Sequence, residues 1–244
     1  MTELKPRDAS ELEPKGAKSS VQPVASAARL AMTVVVATRN RGKLLELREL
    51  LAGLPIDLRS LDDVLPRLQP IVEDGATFEE NALIKARTVA EAALLVTIAD
   101  DSGLEVDALG GRPGVRSARF ASEAATDAEN NAALLDALQE VHGDKRTARF
   151  RSVIAVVDPF SEAQPLVVEG RCEGSIAREA RGTGGFGYDP LFVLRELARS
   201  MAELSEVDKN RVSHRGQAAA LVRLHLADLC AARLRDAEAV VGPV

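Results

Sequence analysis

The residues best suited to chemistry are two adjacent aspartates. Asp100-Asp101-Ser102-Gly103 directly follows the apolar run Leu95–Ala99. Ligands of open α/β sheets bind beyond the carboxyl ends of strands. Neighbouring residues of an extended chain point to opposite sides, so the two acids are expected to differ in role. One would face a metal and a water, and the other would take local donors. A turn that spends its acids on its own hydrogen bonds is the competing reading. A further carboxylate, Glu73, lies in Val72-Glu73-Asp74-Gly75-Ala76-Thr77-Phe78. It could share a Mg²⁺ with Asp101, because Mg²⁺ takes a few carboxylates together with waters and phosphate oxygens. Spacing alone does not bring the two together, and favours an exposed acid ahead of a helix.

Cations and glycines supply the complementary chemistry. Thr38-Arg39-Asn40-Arg41-Gly42-Lys43 joins a strand to a helix. A helix N-terminus offers free N–H groups and a positive dipole end to an anion. The segment works like a phosphate-binding loop without its sequence: Ala37 stands at the first glycine position and Leu44 replaces the Ser/Thr after the lysine, which disfavours a P-loop NTPase. Asn81 and Lys85 share a helix face, with Lys85 read as a surface lysine unless that face lines a cleft. Gly182-Thr183-Gly184-Gly185-Phe186-Gly187-Tyr188-Asp189-Pro190 begins with a literal G-x-G-x-x-G. Pro190 holds Asp189 extended, so no helix follows directly and a dinucleotide site is rejected. The segment is expected to be a flexible loop exposing Phe186 and Tyr188, with Phe186 free to stack on a base. Ser213-His214-Arg215-Gly216, after Lys209, offers donors to carbonyls and phosphates. His142 and His225 are read as structural.

These residues need a scaffold of alternating strands and helices. Thr33–Ala37 reads as a buried strand, followed by a helix through Leu44, Leu47 and Leu51 that ends at Gly53. Ile56–Leu61 alternates as a second strand. Thr77 with Glu80 forms a capping box, opening a helix that buries Phe78, Ala82, Ala86, Val89, Ala90 and Ala93. Leu95–Ala99 and Leu104–Leu109 read as strands on either side of the acidic segment. Asp127 is expected to cap a helix through about Val141. Thr147–Val157 and Leu166–Ile176 read as antiparallel partners. Ser205 and Ser213 look like caps of two final helices, the last buried along Ala218, Leu221, Val222, His225, Leu229 and Ala232. The class is α/β around a mixed sheet.

The chain has 244 residues, 46% hydrophobic and 28% charged, a globular composition within the size of a single core. Its net charge of −6 argues against holding a nucleic acid polymer by bulk attraction. Two cysteines, Cys172 and Cys230, stand in unrelated surroundings, so zinc and iron–sulfur sites are not expected. No run approaches the roughly 18 apolar residues of a membrane span. With no secretory signal, the expected home is the cytoplasm. Residues 1–31 carry Pro6, Pro14 and Pro23 among mixed charges and are expected to be a disordered tail. A single domain is then expected over 32–236, with a flexible C-terminus over 237–244.

Together the motifs resemble the inosine/xanthosine triphosphate pyrophosphatase family. The matching pieces are Ala37-Thr38-x-Asn40-x-Gly42-Lys43, Glu73-x-Gly75-x-Thr77-Phe78-x-Glu80-Asn81-Ala82-x-x-Lys85-Ala86 and Ala99-Asp100-Asp101-Ser102-Gly103-Leu104. Gly182–Pro190 and Ser213–Gly216 complete them, and the order covers Met32 to about Arg235. The resemblance implies an elongated mixed β-sheet flanked by helices, with two lobes around a central active-site cleft. It implies a homodimer and a Mg²⁺ cofactor. The substrate it implies is a non-standard purine nucleoside triphosphate (ITP, dITP or XTP), hydrolysed to the monophosphate and pyrophosphate. By the same resemblance, Thr38, Arg39, Asn40, Arg41, Gly42 and Lys43 hold the triphosphate. Glu73 and Asp101 are metal ligands, with Asp101 the proton acceptor. Lys85, Ser102, Phe186, Gly187, Tyr188, Asp189, Lys209, His214 and Arg215 contact substrate. In the mechanism this suggests, Lys85 acts with Asp101 in catalysis and His214 and Arg215 choose the base. Arg39 departs from the small residue often found there in bacterial members, and Arg41 adds another cation. A pyrophosphatase for modified pyrimidines or 7-methyl-guanine, and a nucleotide-binding module without turnover, are the alternatives.

Overall fold

The computed structural model describes residues 31–241. Of the expected tail only Ala31 falls within them, and residues 242–244 lie outside. The strands are β1 (Met32–Val36), β2 (Ile56–Ser60), β3 (Val96–Val106), β4 (Thr147–Val157), β5 (Leu166–Ile176) and β6 (Phe192–Leu194). The helices are α1 (Arg41–Leu50), α2 (Leu61–Val64), α3 (Phe78–Ala93), α4 (Asp127–Ala137), α5 (Glu206–Val212) and α6 (His214–Val241), with short 3₁₀ turns such as Gly114–Arg119. The α/β class stands. The strands form one mixed sheet in the order β2-β1-β3-β4-β5-β6. β1 pairs in parallel with β2 and β3, and every later neighbour is antiparallel.

Register places the site. β1 pairs with β3 only from Val34↔Val96 to Val36↔Ile98. Beyond Ile98 the β1 chain turns away into α1, leaving the edge of β3 open where Asp100 and Asp101 follow. The other edge of β3 stays paired with β4 from Thr97↔Val157 to Val106↔Ala148. The acidic segment is therefore inside one unbroken strand, which joins the two strands expected over Leu95–Ala99 and Leu104–Leu109 and sets aside the competing turn reading. Turn propensity at Asp-Asp-Ser-Gly yields to the full ladder with β4 and to distant partners for both carboxylates.

Alternation along β1 and β3 divides the core in two. Val34, Val36, Val96 and Ile98 face α1 and α6, packing against Leu47, Leu51, Ala218, Val222 and Leu226. Val35 and Ala99 face α3, packing against Phe78, Ala82, Ala86 and Val89. A third cluster, with Leu104, Leu134, Phe150, Tyr188, Phe192 and Met201, fills the antiparallel end.

Several boundaries differ from expectation. α1 starts at Arg41, because the Asn40 side chain caps it by accepting from the Lys43 N–H. Arg41–Lys43 are thus its first turn rather than loop, and it ends at Leu50. α4 is capped by Thr126, in a capping box with Glu129, and stops at Ala137 rather than Val141. The N–H of Leu138 there bonds back to Leu134 and Leu135, and Arg146 takes the Leu138 carbonyl. On α6, Leu221 is exposed and Leu226 is buried, so the apolar stripe rotates away from the expected one. α6 also continues through Val241, into the span 237–244 expected as a C-terminal segment beyond the domain. No helix among the described residues is long and apolar enough to cross a membrane.

Candidate active site

The two aspartates face opposite sides of the sheet, as strand alternation requires. Asp100 follows Ile98 onto the α1/α6 side and is fully buried there. Lys43 Nζ approaches its Oδ2 at 2.9 Å and Arg215 Nη2 at 3.1 Å. The hydroxyls of Ser152 and Ser102 also donate to it. Burial opposes its charge, yet Arg215 and Lys43 hold the carboxyl well below the usual carboxylate range. Asp100 is a structural anion tying α1, β3, β4 and α6 together.

Asp101 follows Ala99 onto the α3 side. Lys85 Nζ donates to Asp101 Oδ1 at 2.6 Å, to Glu73 Oε2 at 2.8 Å and to the Asp100 carbonyl at 3.1 Å. Glu73 and Asp101, far apart in sequence, therefore meet at one ammonium. Lys85 is buried, against the surface reading, because its helix face lines a cavity. Burial opposes its charge, but Asp101 and Glu73 hold its pKa above the ordinary lysine value. Burial pushes the Asp101 carboxyl up against the pull of Lys85. Burial also works against the Glu73 charge, but Lys85 holds that carboxyl below its ordinary value. Asp101 Oδ2 is buried without a hydrogen-bond partner.

A cavity of about 400 Å³ opens over this group, lined by Thr38, Asn40, Lys43, Glu73, Lys85 and Arg119 among others. A second cavity of about 110 Å³ adjoins it and shares Asn40, Lys43 and Ser102; its walls include Phe150, Phe186, Tyr188, His214 and Arg215. One trough lined by cations and carboxylates thus leads into a narrower aromatic pocket. Arg39 lines the first cavity but is bound to Asp62 and to the Leu68 carbonyl. Arg41 is exposed and lines neither cavity. Gly42 packs under Phe186: a Cβ there would lie 2.5 Å from the ring.

The glycine loop is held more firmly than its composition predicts. Tyr188 is buried in the third cluster and its hydroxyl donates to the Ser117 carbonyl at 2.9 Å. This corrects the expectation of an exposed tyrosine: the polar tip has a partner and the ring has a core to fill. Asp189 Oδ2 accepts from the Phe186 N–H at 2.9 Å and from Lys209 Nζ at 2.5 Å. Lys209 also reaches Glu46 at 2.7 Å and sits 4.8 Å from the Phe186 ring centroid. Arg215 joins Glu46 from the other side. His214 stacks on Phe150 at 4.8 Å between centroids. Burial and the Arg215 charge hold its pKa well below the ordinary histidine value, which favours the uncharged ring. Its Nδ1 is buried without a partner.

Sequence reasoning missed Glu46, Ser152 and Arg119. Glu46 shares a face of α1 with Lys43 at i, i+3, a signal that was present and unused. Ser152 is one polar residue in an alternating strand and carries no such mark. Arg119 donates to the Glu73 carbonyl at 3.2 Å, a contact made by tertiary packing alone.

Two carboxylates around one point fit a Mg²⁺ that completes its shell with phosphate oxygens and waters. The unpartnered Asp101 oxygen would supply the lone pairs such an ion needs. Among the described residues no group of three or more His, Cys, Asp or Glu forms a closed metal cage.

Comparison with known proteins agrees across sequence and structure. Residues 34–224 match the Ham1 family model. A dITP/XTP pyrophosphatase of Geobacter sulfurreducens is 52% identical over 193 residues, 79% of this chain and 96% of that protein. One from Bacillus cereus is 48% identical over 185 residues, 76% of this chain and 90% of its own length. The solved structure of a HAM1 protein from Coxiella burnetii superposes with a TM-score of 0.74 at 43% identity, covering 81% of this chain and 99% of that one.

Proposed function

Because this chain belongs to the Ham1 family, we infer that it hydrolyses non-standard purine nucleoside triphosphates (ITP, dITP and XTP) to the monophosphate and pyrophosphate. The observation that carries this reading is the meeting of Glu73 and Asp101 at Lys85, in a cation-lined trough that continues into an aromatic pocket. We assign the catalytic unit to residues 32–236.

Glu73 and Asp101 would hold Mg²⁺, which when bound polarises a phosphoryl oxygen and lowers the pKa of a bound water. Asp101 aims a water at the α-phosphorus. The new P–O bond forms as the bond to the β-phosphate oxygen breaks, and the water's proton passes to Asp101 or to solvent. Lys43 and Lys85 offset the charge gathering on the departing pyrophosphate. The N–H groups at the start of α1 serve the same charge, with Thr38 and Asn40 beside them.

The base enters the smaller pocket against Phe186. His214, neutral and with an open ring nitrogen, reads the base edge with Arg215. A donor aimed at O6 pairs with hypoxanthine or xanthine and meets a second donor at the adenine amino group. An unmatched buried donor costs up to roughly 10⁴-fold in discrimination. The free cysteines accord with a reducing cytoplasm, and we assign a homodimer to the working enzyme.

Pyrophosphate release from ITP, GTP, ATP and dTTP, with and without Mg²⁺, tests the reading. ITP turnover that depends on Mg²⁺ and exceeds ATP turnover by at least about a hundredfold in kcat/KM is expected. Equal values for ATP and ITP would remove the base assignment, and binding without pyrophosphate release would make the protein a module without turnover. Gly42→Ala forces the Phe186 ring aside and is expected to raise the KM for ITP about tenfold. Steady-state kinetics would show it, and an unchanged KM would free Phe186 of any stacking role.

A further inference from the structure

The aromatic pocket is braced by a helix to which no part of the reaction has been assigned. Two side chains of α4, four residues apart and so on one face, bind both polar groups of a single residue. Asp127 Oδ2 accepts from the Gly187 N–H at 2.7 Å, and Asn131 Nδ2 donates to the Gly187 carbonyl at 2.9 Å. Gly187 has φ +61° and Gly185 has φ +71°, so Phe186 hangs between two left-handed glycines. Such residues leave the backbone free unless something fixes it. The Asn131 oxygen is buried with no partner, which leaves the bond to Gly187 as the amide's return for its burial. Between them, Asn130 accepts from the Ala121 N–H at 2.9 Å and donates to the Ala118 carbonyl at 3.1 Å. One turn of α4 thereby fixes both Gly187 and Ala118, two residues that line the pocket.

We propose that Asp127 and Asn131 are positioning residues for base recognition: they clamp Gly187, set the Phe186 ring, and leave the phosphate trough alone. The proposal rests on the pyrophosphatase reading for its substrate, though the clamp itself does not.

Four variants separate a clamp from a general loss of structure. Asp127→Ala removes the acceptor and Asp127→Asn keeps one. Asn131→Ala removes the donor, and Asn131→Asp sets an anion against the Gly187 carbonyl. Asp127→Ala and Asn131→Asp are each expected to raise the KM for ITP about tenfold with kcat within about threefold. Inhibition by Mg²⁺-tripolyphosphate, a probe without a base, should stay within about twofold. Asp127→Asn should restore the parent KM. Hydrogen exchange at Phe186 and Gly187 should quicken in Asp127→Ala with no substrate present. Equal losses toward ITP and tripolyphosphate, or failure of Asp127→Asn to rescue, would overturn the proposal. Unchanged exchange would overturn it even where ITP proves not to be the substrate; quickened exchange in a parent that does not turn over ITP would sustain the clamp and fail the functional reading.

Discussion

Asp101→Asn is expected to lower kcat for ITP by roughly 10³-fold while leaving the protein folded. The substitution conserves volume in a buried position, removes the charge and puts an amide N–H₂ donor where one carboxylate oxygen stood. Lys85 keeps Glu73 and the Asp100 carbonyl as partners, so the helix that carries it stays in place. What goes is the anionic oxygen that has no other bond, the one best placed to hold a metal and aim a water. The Mg²⁺ concentration giving half-maximal rate should rise together with the fall in kcat, since an amide oxygen is a weaker ligand than a carboxylate. Pyrophosphate release measured across a Mg²⁺ series, beside a melting curve, gives both numbers. Turnover within tenfold of the parent would show that Asp101 is not the reacting acid.

Arg215→Met should act on the other side of the strand and cost stability. Arg215 is 2% exposed and bonds Glu46, Asp100 and Ser102. Methionine fills much of the same space and leaves Asp100 and Glu46 each with a single lysine, Lys43 and Lys209. Breaking a buried pair by removing one partner costs about 3–5 kcal/mol. At about 2–4 °C per kcal/mol for a domain of this size, the Tm falls by roughly 6–20 °C. Adding Asp100→Asn to the variant should recover part of the loss, because the stranded anion is then gone. The sign with pH follows from Asp100. Its carboxyl is depressed in the folded state, so its contribution is present above the unfolded pKa, about 3.9, and fades as pH falls through the folded value. The stability gap between the parent and Asp100→Asn should therefore shrink in acid below about pH 4. Calorimetry at pH 7 and in acid would measure it, and a Tm for Arg215→Met within 2 °C of the parent would mean that Lys43 and Lys209 suffice to neutralise this corner.

Local patterns were legible wherever a local rule decided the outcome. The alternation of β4 and β5 set their limits, and the Thr77–Glu80 box opened α3. The differing fates of Asp100 and Asp101 followed from strand geometry alone. What stayed hidden depends on contacts between distant segments. Leu95–Ala99 and Leu104–Leu109 read as two separate strands until a full-length partner strand is supplied. Tyr188 reads as exposed until Ser117 offers its carbonyl and the third cluster offers a cavity. Lys85 reads as solvated until α3 is laid against β3. The meeting of Glu73 with Asp101 had no expression in spacing, and the family resemblance alone carried that expectation.

The period of two along β3 has a consequence for how the chain can change. Loss of a single codon between those for Val96 and Asp100 would turn every later side chain of the strand over. The acid that anchors the sheet would swing toward Lys85, and the one offered to the metal would be sealed among Arg215 and Lys43. Insertions and deletions are therefore barred from that short stretch, whereas the turn at Gly110–Gly111 can lengthen or shorten without exchanging the two carboxylates.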